Sequence, residues 1–208
     1  MPAPCPNCGF VHQCICASVP ILTSPIHLAL LMHENEVSRE TNTGKLLQQT
    51  LTNCTQHIWQ RKTPPSELIK LINSPDYHAM ILFPSEESQL ISTVSTSETV
   101  DKPIPLFIIL DATWQEAKKM IRRSAWLQAL PHVHFETEQT SRYSLRRNQH
   151  QGHLCTCEVG AELLKQTGSD QEADKLMAYF EHYLAVYQAD RCGHVAPTTT
   201  LPPLQQSQ

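Results

Sequence analysis

Leu106-Phe107-Ile108-Ile109-Leu110 is a run of five large apolar residues that stops abruptly at Asp111. A strand with one wet face alternates apolar and polar residues, whereas an unbroken apolar run marks a strand covered on both faces, as in a parallel sheet flanked by helices. Such a run is far too short for the ~20 residues of a membrane span. The chain is therefore expected to be an α/β protein on a mostly parallel sheet, without a membrane segment. Three further runs read as strands: His27 to His33, His78 to Phe83 and His132 to Phe135. Helical patterns cover Asn42 to Leu51, Ser66 to Leu71, Thr113 to Leu130, Thr156 to Gln166 and Asp170 to Gln188. In the third of these, Trp114, Ala117, Ile121 and Ala125 share a face, and the last carries an apolar stripe from Ala173 to Tyr187. At 208 residues and 40% hydrophobic content, the chain can close one sizeable core.

The spacing divides the chain unevenly. Residues 1–20 are rich in Cys and Pro and lack periodicity, so a metal would have to organise them. Residues 21–192 hold the strand and helix patterns, and residues 193–208 are Pro, Thr and Gln with little to bury. That tail, and the polar stretch from Ser85 to Pro105, are expected to be mobile. Met1 to Gly9 has three prolines and two cysteines where a leader would have a basic and then an apolar segment, so a cytoplasmic location is expected. In that reducing compartment eight cysteines point to thiols or metal ligands before disulfides.

Cys5, Cys8, Cys14 and Cys16 lie within twelve residues, with loops short enough to wrap one tetrahedral ion. Zinc accepts four thiolates, and a closed shell of four leaves no open position for catalysis, so the zinc reading is a structural one. An iron–sulfur cluster, free thiols, or His12 in place of one cysteine remain the alternatives on spacing alone. Cys155 and Cys157 have no second pair nearby, and Cys54, Cys192, His132 and His134 show no ligand spacing; packing is their expected role.

The polar group Asp111-Ala112-Thr113-Trp114 begins where the apolar strand ends, which is where open α/β sheets gather ligands. Thr113 suits a helix N-cap, and the first turn behind it favours an anion. By themselves these residues also fit a plain cap with Trp114 in the core. The following segment carries Lys118, Lys119, Arg122 and Arg123, and then Arg142, Arg146 and Arg147 around Tyr143. From 118 to 147 seven basic residues face only Glu136 and Glu138, a local charge of +5 in a chain of -4. This pattern suits a phosphate backbone with a stacked base, or a solvated helix face. With six glycines the chain has no Gly-x-Gly-x-x-Gly turn, no phosphate-binding Walker loop and no Gly-x-Ser-x-Gly elbow, so a Rossmann site and a serine hydrolase are unsupported.

These residues resemble the DTW-domain family of tRNA-uridine aminocarboxypropyltransferases. The likeness rests on the four cysteines, Thr41-Asn-Thr-Gly-Lys-Leu46, Phe83-Pro84, Asp111-Ala-Thr-Trp114, Tyr143-Ser-Leu-Arg146 and Cys155-Thr-Cys-Glu-Val159, in the family's order. It implies a SPOUT-like, knotted α/β sheet. It also implies transfer of the 3-amino-3-carboxypropyl group from S-adenosylmethionine to N3 of a tRNA uridine, leaving methylthioadenosine. On this resemblance Asp111, Thr113 and Trp114 are the catalytic set. Asn42, Thr43, Gly44, Phe83, Pro84, Asp111 and Glu158 are the cofactor residues, with capping of its own helix the alternative for Glu158. The basic residues and Tyr143 would hold tRNA, and nothing calls for an obligatory protein partner. Ala112 and Cys157 depart from the family's pattern. A SPOUT-like RNA methyltransferase and a non-catalytic, zinc-bearing RNA-binding module fit the same residues.

Overall fold

A computed structural model describes residues 3–93, 102–135 and 154–197. The apolar run becomes the centre of a sheet. Among the described residues the strands are β1 (His27–Met32), β2 (Cys54–Ile58), β3 (Tyr77–Leu82), β4 (Gln89–Leu90), β5 (Ile104–Asp111) and β6 (His132–His134). They form one sheet in the order β2-β1-β5-β3-β6-β4, and every pairing is parallel. Along β5, Ile109 stands between Leu30 and Leu82, and Asp111 lies opposite Met32.

Both faces of the sheet are covered, which is why β5 tolerates no polar alternation. Leu28, Leu30, Met80, Phe107 and Ile109 enter one core with α2 (Gly44–Thr50), α6 (Thr156–Gln166) and α7 (Asp170–Arg191). Ala29, Leu31, Ile81, Leu106 and Ile108 enter the other with α3 (Ser66–Asn73), α4 (Trp114–Arg123) and α5 (Ala125–Gln128). Each fully buried Leu, Ile or Phe contributes roughly 1.5–3 kcal/mol. A four-residue helix, α1 (Glu34–Val37), follows β1 directly. No helix among the described residues is long and apolar enough to cross a membrane.

Several expectations change. The single helix over Thr113 to Leu130 is two, because Ser124 leaves the helix in an extended conformation and its buried hydroxyl accepts the Trp59 indole N–H at 2.9 Å. The break resets the phase, so Ala117, Met120 and Leu127 are buried while Ala125 is exposed. Trp114, at the first turn and beyond the sheet edge, is 42% exposed and does not fill the core. Strands β2 and β4 escape the apolar pattern because Cys54-Thr-Gln-His-Ile58 and Gln89-Leu90 lie at the two edges of the sheet. Within Ser85 to Pro105, β4 is paired with β6 and Ile91 is buried. Past Gly193, Ala196 is buried and its N–H donates to Gln13 Oε1 at 2.9 Å. Both segments therefore contain fixed positions where only mobility was expected.

Candidate active site

Because all strands are parallel, β1, β3 and β5 end at the same edge, and the residues after them meet there. Asp111 is the last residue of β5 and is 1% exposed. Its Oδ1 accepts from the Thr156 hydroxyl and its Oδ2 from the Asn42 amide, each at 2.7 Å. Burial of a carboxylate is costly unless donors replace its water, and these two come from opposite ends of the sequence. The same Asn42 nitrogen donates to Glu36 Oε2 at 3.3 Å, and Glu36 Oε1 is paired with Arg39 at 2.5 Å.

Gly44 opens α2 against this carboxylate. A Cβ there would stand 2.5 Å from Asp111 Oδ2, 3.0 Å from its Cγ and 3.2 Å from Asn42 Oδ1. Asp111 is pinned by two hydrogen bonds and cannot swing aside. Gly44→Ala, a change that normally favours a helix, is expected to destabilise the fold by about 1–3 kcal/mol. Urea unfolding checks this, and an unchanged midpoint would contradict the close approach. Thr43 faces α6, its hydroxyl accepting the Cys157 N–H at 3.3 Å. Thus Asn42, Thr43, Gly44 and Asp111, distant in sequence, are gathered in one place. Glu158 is buried nearby and accepts the Cys155 N–H at 2.8 Å, capping α6.

Thr113 is the N-cap of α4 in a reciprocal capping box. Its hydroxyl accepts the Glu116 N–H at 3.3 Å and donates to Glu116 Oε2 at 2.6 Å, while its own N–H donates to the same oxygen at 2.9 Å. Asn35 donates to Glu116 Oε1 at 2.7 Å. Burial pushes the Glu116 carboxyl up, but the Thr113 hydroxyl and Asn35 amide outweigh it and bring it down to about 2. The cap is therefore ionised at neutral pH. His33, which follows β1, is buried against Trp59, its backbone N–H donates to the Asp111 carbonyl at 3.0 Å, and its Nε2 has no hydrogen-bond partner among the described residues.

Beside Asp111 a cavity of about 460 Å³ opens between Phe83, Pro84, Ala112, Trp114, Thr156 and Val159. Phe83 and Trp114 stack at 4.9 Å and form one wall, and Lys118 Nζ stands 5.2 Å from the centre of the Trp114 ring. Lys118, Lys119, Arg122 and Arg123 are all exposed on α4, so the cationic face begins at the cavity mouth. Arg142, Tyr143, Arg146 and Arg147 lie outside the described residues.

The residues that sequence reasoning missed are Glu36, Arg39, His33, Asn35, Glu116 and Thr156. The first four lie in His33-Glu-Asn-Glu-Val-Ser-Arg39, where His33 reads as the end of a strand and the rest carries no periodic or motif signal. Thr156 was visible only as the residue between two cysteines. Glu116 had a usable signal, since Thr113-x-x-Glu116 is a capping-box spacing.

The four cysteines form a separate centre. Their sulfur atoms all lie within 4.8 Å of one another, with Cys5 3.7 Å from both Cys14 and Cys16 and Cys8 4.0 Å from Cys14. A tetrahedron of thiolates ~2.3 Å from zinc has sulfur edges of about 3.8 Å, so the cluster could bind a metal without rearrangement. Backbone N–H groups of Cys8 and Asn7 draw the Cys5 thiol down to about 6. The centre is fastened to α7: Phe10 packs on Tyr183 and Tyr187, and Asp190 accepts the N–H groups of Val11 and His12. By contrast, burial pushes the thiols of Cys155 and Cys54 up to about 12 and raises that of Cys157 well above the ordinary thiol range, which leaves them as inert packing groups.

A model of the DTW domain matches residues 3–188. The chain is 27% identical to the Drosophila melanogaster protein named tRNA-uridine aminocarboxypropyltransferase 2, over 86% of this chain and 72% of that one. It is 26% identical to the Mus musculus protein of the same name, over 76% of this chain and 55% of that one. It is 28% identical to tRNA-uridine aminocarboxypropyltransferase A of Arabidopsis thaliana, over 58% of this chain and 50% of that one. The matched region is thus about half of the latter two proteins. No solved structure matches the chain. A match across nearly the whole sequence, with the knuckle and the Asp111 network inside it, places the chain in the DTW-domain family.

Proposed function

We propose that the protein transfers the 3-amino-3-carboxypropyl group of S-adenosylmethionine to N3 of a uridine in tRNA, releasing methylthioadenosine. The observation that carries this reading is the meeting of Asn42, Gly44 and Thr156 on Asp111 beside an apolar cavity and a cationic helix. Family membership and the names of the relatives support it. The cavity's size and its apolar wall fit a thioether-bearing nucleoside. Of the residues assigned to the cofactor, Phe83 and Pro84 line the cavity, while Asn42, Thr43, Gly44, Asp111 and Glu158 are buried outside its lining. When bound, S-adenosylmethionine supplies an activated sulfonium whose γ-carbon is the electrophile. In the transfer an N3–carbon bond would form, the carbon–sulfur bond would break with its electron pair going to sulfur as methylthioadenosine leaves, and the N3 proton would be released to solvent.

The chain's own part is chiefly placement. Asp111, held by two donors, presents a fixed acceptor to the N3–H and orients the uridine. Phe83 and Trp114 wall the site against water. Orientation of this kind can contribute ~7–11 kcal/mol. Thr113 acts through its cap, which fixes the angle at which Trp114 meets the cavity. The four cysteines hold zinc as a structural centre, with no step in the chemistry. An all-parallel sheet with its cofactor residues at one edge is compatible with a SPOUT-like knotted site. A tRNA substrate and reduced thiols both suit a cytoplasmic setting.

The direct test is incubation of unmodified tRNA with the protein and S-adenosylmethionine, followed by nucleoside mass measurement. An aminocarboxypropyl increment is the expected product. A methyl increment would select an RNA methyltransferase, and no increment with retained tRNA binding would select a non-catalytic RNA-binding module. Lys118, Lys119, Arg122 and Arg123 are proposed to track phosphates, as are Arg142, Arg146 and Arg147, with Tyr143 stacking on a base. Replacing the four α4 residues by Gln should flatten the log–log salt dependence of tRNA binding by about 3. An unchanged slope in binding titrations would count against phosphate contact.

A further inference from the structure

We infer that Glu36, with its partner Arg39, is a positioning residue that fixes the orientation of Asp111 and sets its proton affinity through the amide of Asn42. The inference rests on the reading of Asp111 as the working carboxylate. It starts from a side chain that has no evident reason to be buried. Glu36 lies on the four-residue helix α1, yet its side chain has no exposed surface, while Arg39 beside it is 39% exposed. A carboxylate needed only to hold a turn would keep its water, because desolvation of a charge is costly without strong partners.

The partner that explains the burial is Asn42. Its nitrogen donates to Asp111 Oδ2 at 2.7 Å and to Glu36 Oε2 at 3.3 Å, and its Oδ1 accepts the Lys45 N–H at 3.3 Å. An amide has two N–H donors and one carbonyl, so placing it between two carboxylates decides which end meets Asp111. Rotated by half a turn, Asn42 would set its carbonyl against two carboxylates. Glu36 thus locks the donor end onto Asp111.

The same geometry couples the two charges. Both carboxylate oxygens sit on one nitrogen, so they stand no more than about 6 Å apart. A like charge at that distance disfavours the ionised form of Asp111, and Arg39 offsets it. The other charged or titratable groups described on the elements around Asp111 are the same in every variant. Lys45 on α2 donates to the Glu40 carbonyl, and Glu158 on α6 accepts the Cys155 N–H. Glu116 on α4 is held by Thr113 and Asn35, and His33 lies 3.6 Å from Glu116 and stacks on Trp59. The protonation of Asp111 therefore depends on the charges of Glu36 and Arg39.

Two substitutions separate charge from shape. Glu36→Gln keeps an acceptor for Asn42 and removes the charge, and Arg39→Gln removes the cation at a partly exposed position. The midpoint of Asp111 is read from its side-chain carboxyl carbon by NMR in the full-length protein, with the signal assigned by its loss in Asp111→Asn. Glu36→Gln should lower the midpoint by about one pH unit, and Arg39→Gln should raise it by about half a unit. Any result other than a fall in the first and a rise in the second overturns the inference. The titration needs no substrate, so a protein that failed to modify tRNA would overturn the proposed function and leave this result standing on its own. Where transfer does occur, the acidic limb of kcat/KM should move in the same two directions.

Discussion

Asp111→Asn is expected to reduce transfer at least about a thousandfold while tRNA affinity changes less than about twofold. The substitution is nearly isosteric, so its effect reports charge and hydrogen bonding. In the native site Oδ1 and Oδ2 both accept, from Thr156 and from Asn42. An Asn side chain offers one acceptor and one donor group, so with its oxygen kept on the Asn42 amide its N–H group meets the Thr156 hydroxyl, which can turn and accept. What is lost is the charge assistance of the two bonds, so the folded state should lose stability by only about 1 kcal/mol. The tRNA contacts proposed for α4 are untouched, because Lys118, Lys119, Arg122 and Arg123 point to solvent. Single-turnover transfer, equilibrium tRNA binding and urea unfolding on the same preparation check the three statements separately. Full activity in the variant would remove Asp111 from the mechanism, while equal losses of activity and tRNA binding would make it a structural residue.

How much of this site could be read from the sequence depends on which physics left a mark on it. Burial leaves the strongest mark. Five apolar residues ending at Asp111 announced a central parallel strand and the position of a polar group at its end. Metal ligation leaves a comparable one, since four thiols in twelve residues have few other uses, and their sulfur atoms do meet. Edge strands leave almost none: β2 is half-wet and reads as polar loop, and β4 is two residues long. Helix phase was misread at Ser124 because the break depends on Trp59, a residue 65 positions away. The buried polar network was the least legible. Glu36, Arg39 and Thr156 look like surface residues until the chain brings α1 and α6 against the end of β5, for only three-dimensional closure shows that a charged side chain has lost its water. Resemblance to a family filled part of that gap by pointing to Asn42 and Gly44, whose physical reasons appear only in the approach to Asp111.

Removal of metal from the four-cysteine centre is expected to produce the largest change in stability. Residues 3–20 contain no strand and only one short turn of 3-10 helix, Cys16–Ser18, so little besides a metal can fix them. Without an ion, four thiols sit within 4.8 Å of one another, and the Cys5 thiol, drawn down to about 6, is largely ionised at neutral pH. The Cys16 thiol beside it is pushed up to about 12, first by its contact with Cys14, so all four sulfurs can ionise together only on a cation. Structural zinc in small thiolate sites is worth ~10–16 kcal/mol of binding free energy in isolated peptides, and the part coupled to folding here is what chelation would take away. The loss should spread to α7, because Phe10 covers Tyr183 and Tyr187 and Asp190 is held by the knuckle's backbone. Thermal unfolding with and without a strong chelator should therefore show a midpoint lower by many degrees, with tyrosine fluorescence reporting the exposure of α7 before the main transition. Re-addition of zinc should restore both. Cobalt substitution should give the ligand-to-metal bands of a tetrahedral thiolate site, and replacement of Cys5 by Ser should abolish them. At temperatures well below the lowered midpoint, transfer should persist in the metal-free protein, since the Asp111 network takes no ligand from the knuckle. Loss of catalysis with the fold intact would give the metal a part in the chemistry, and an unchanged midpoint would deny it a structural one.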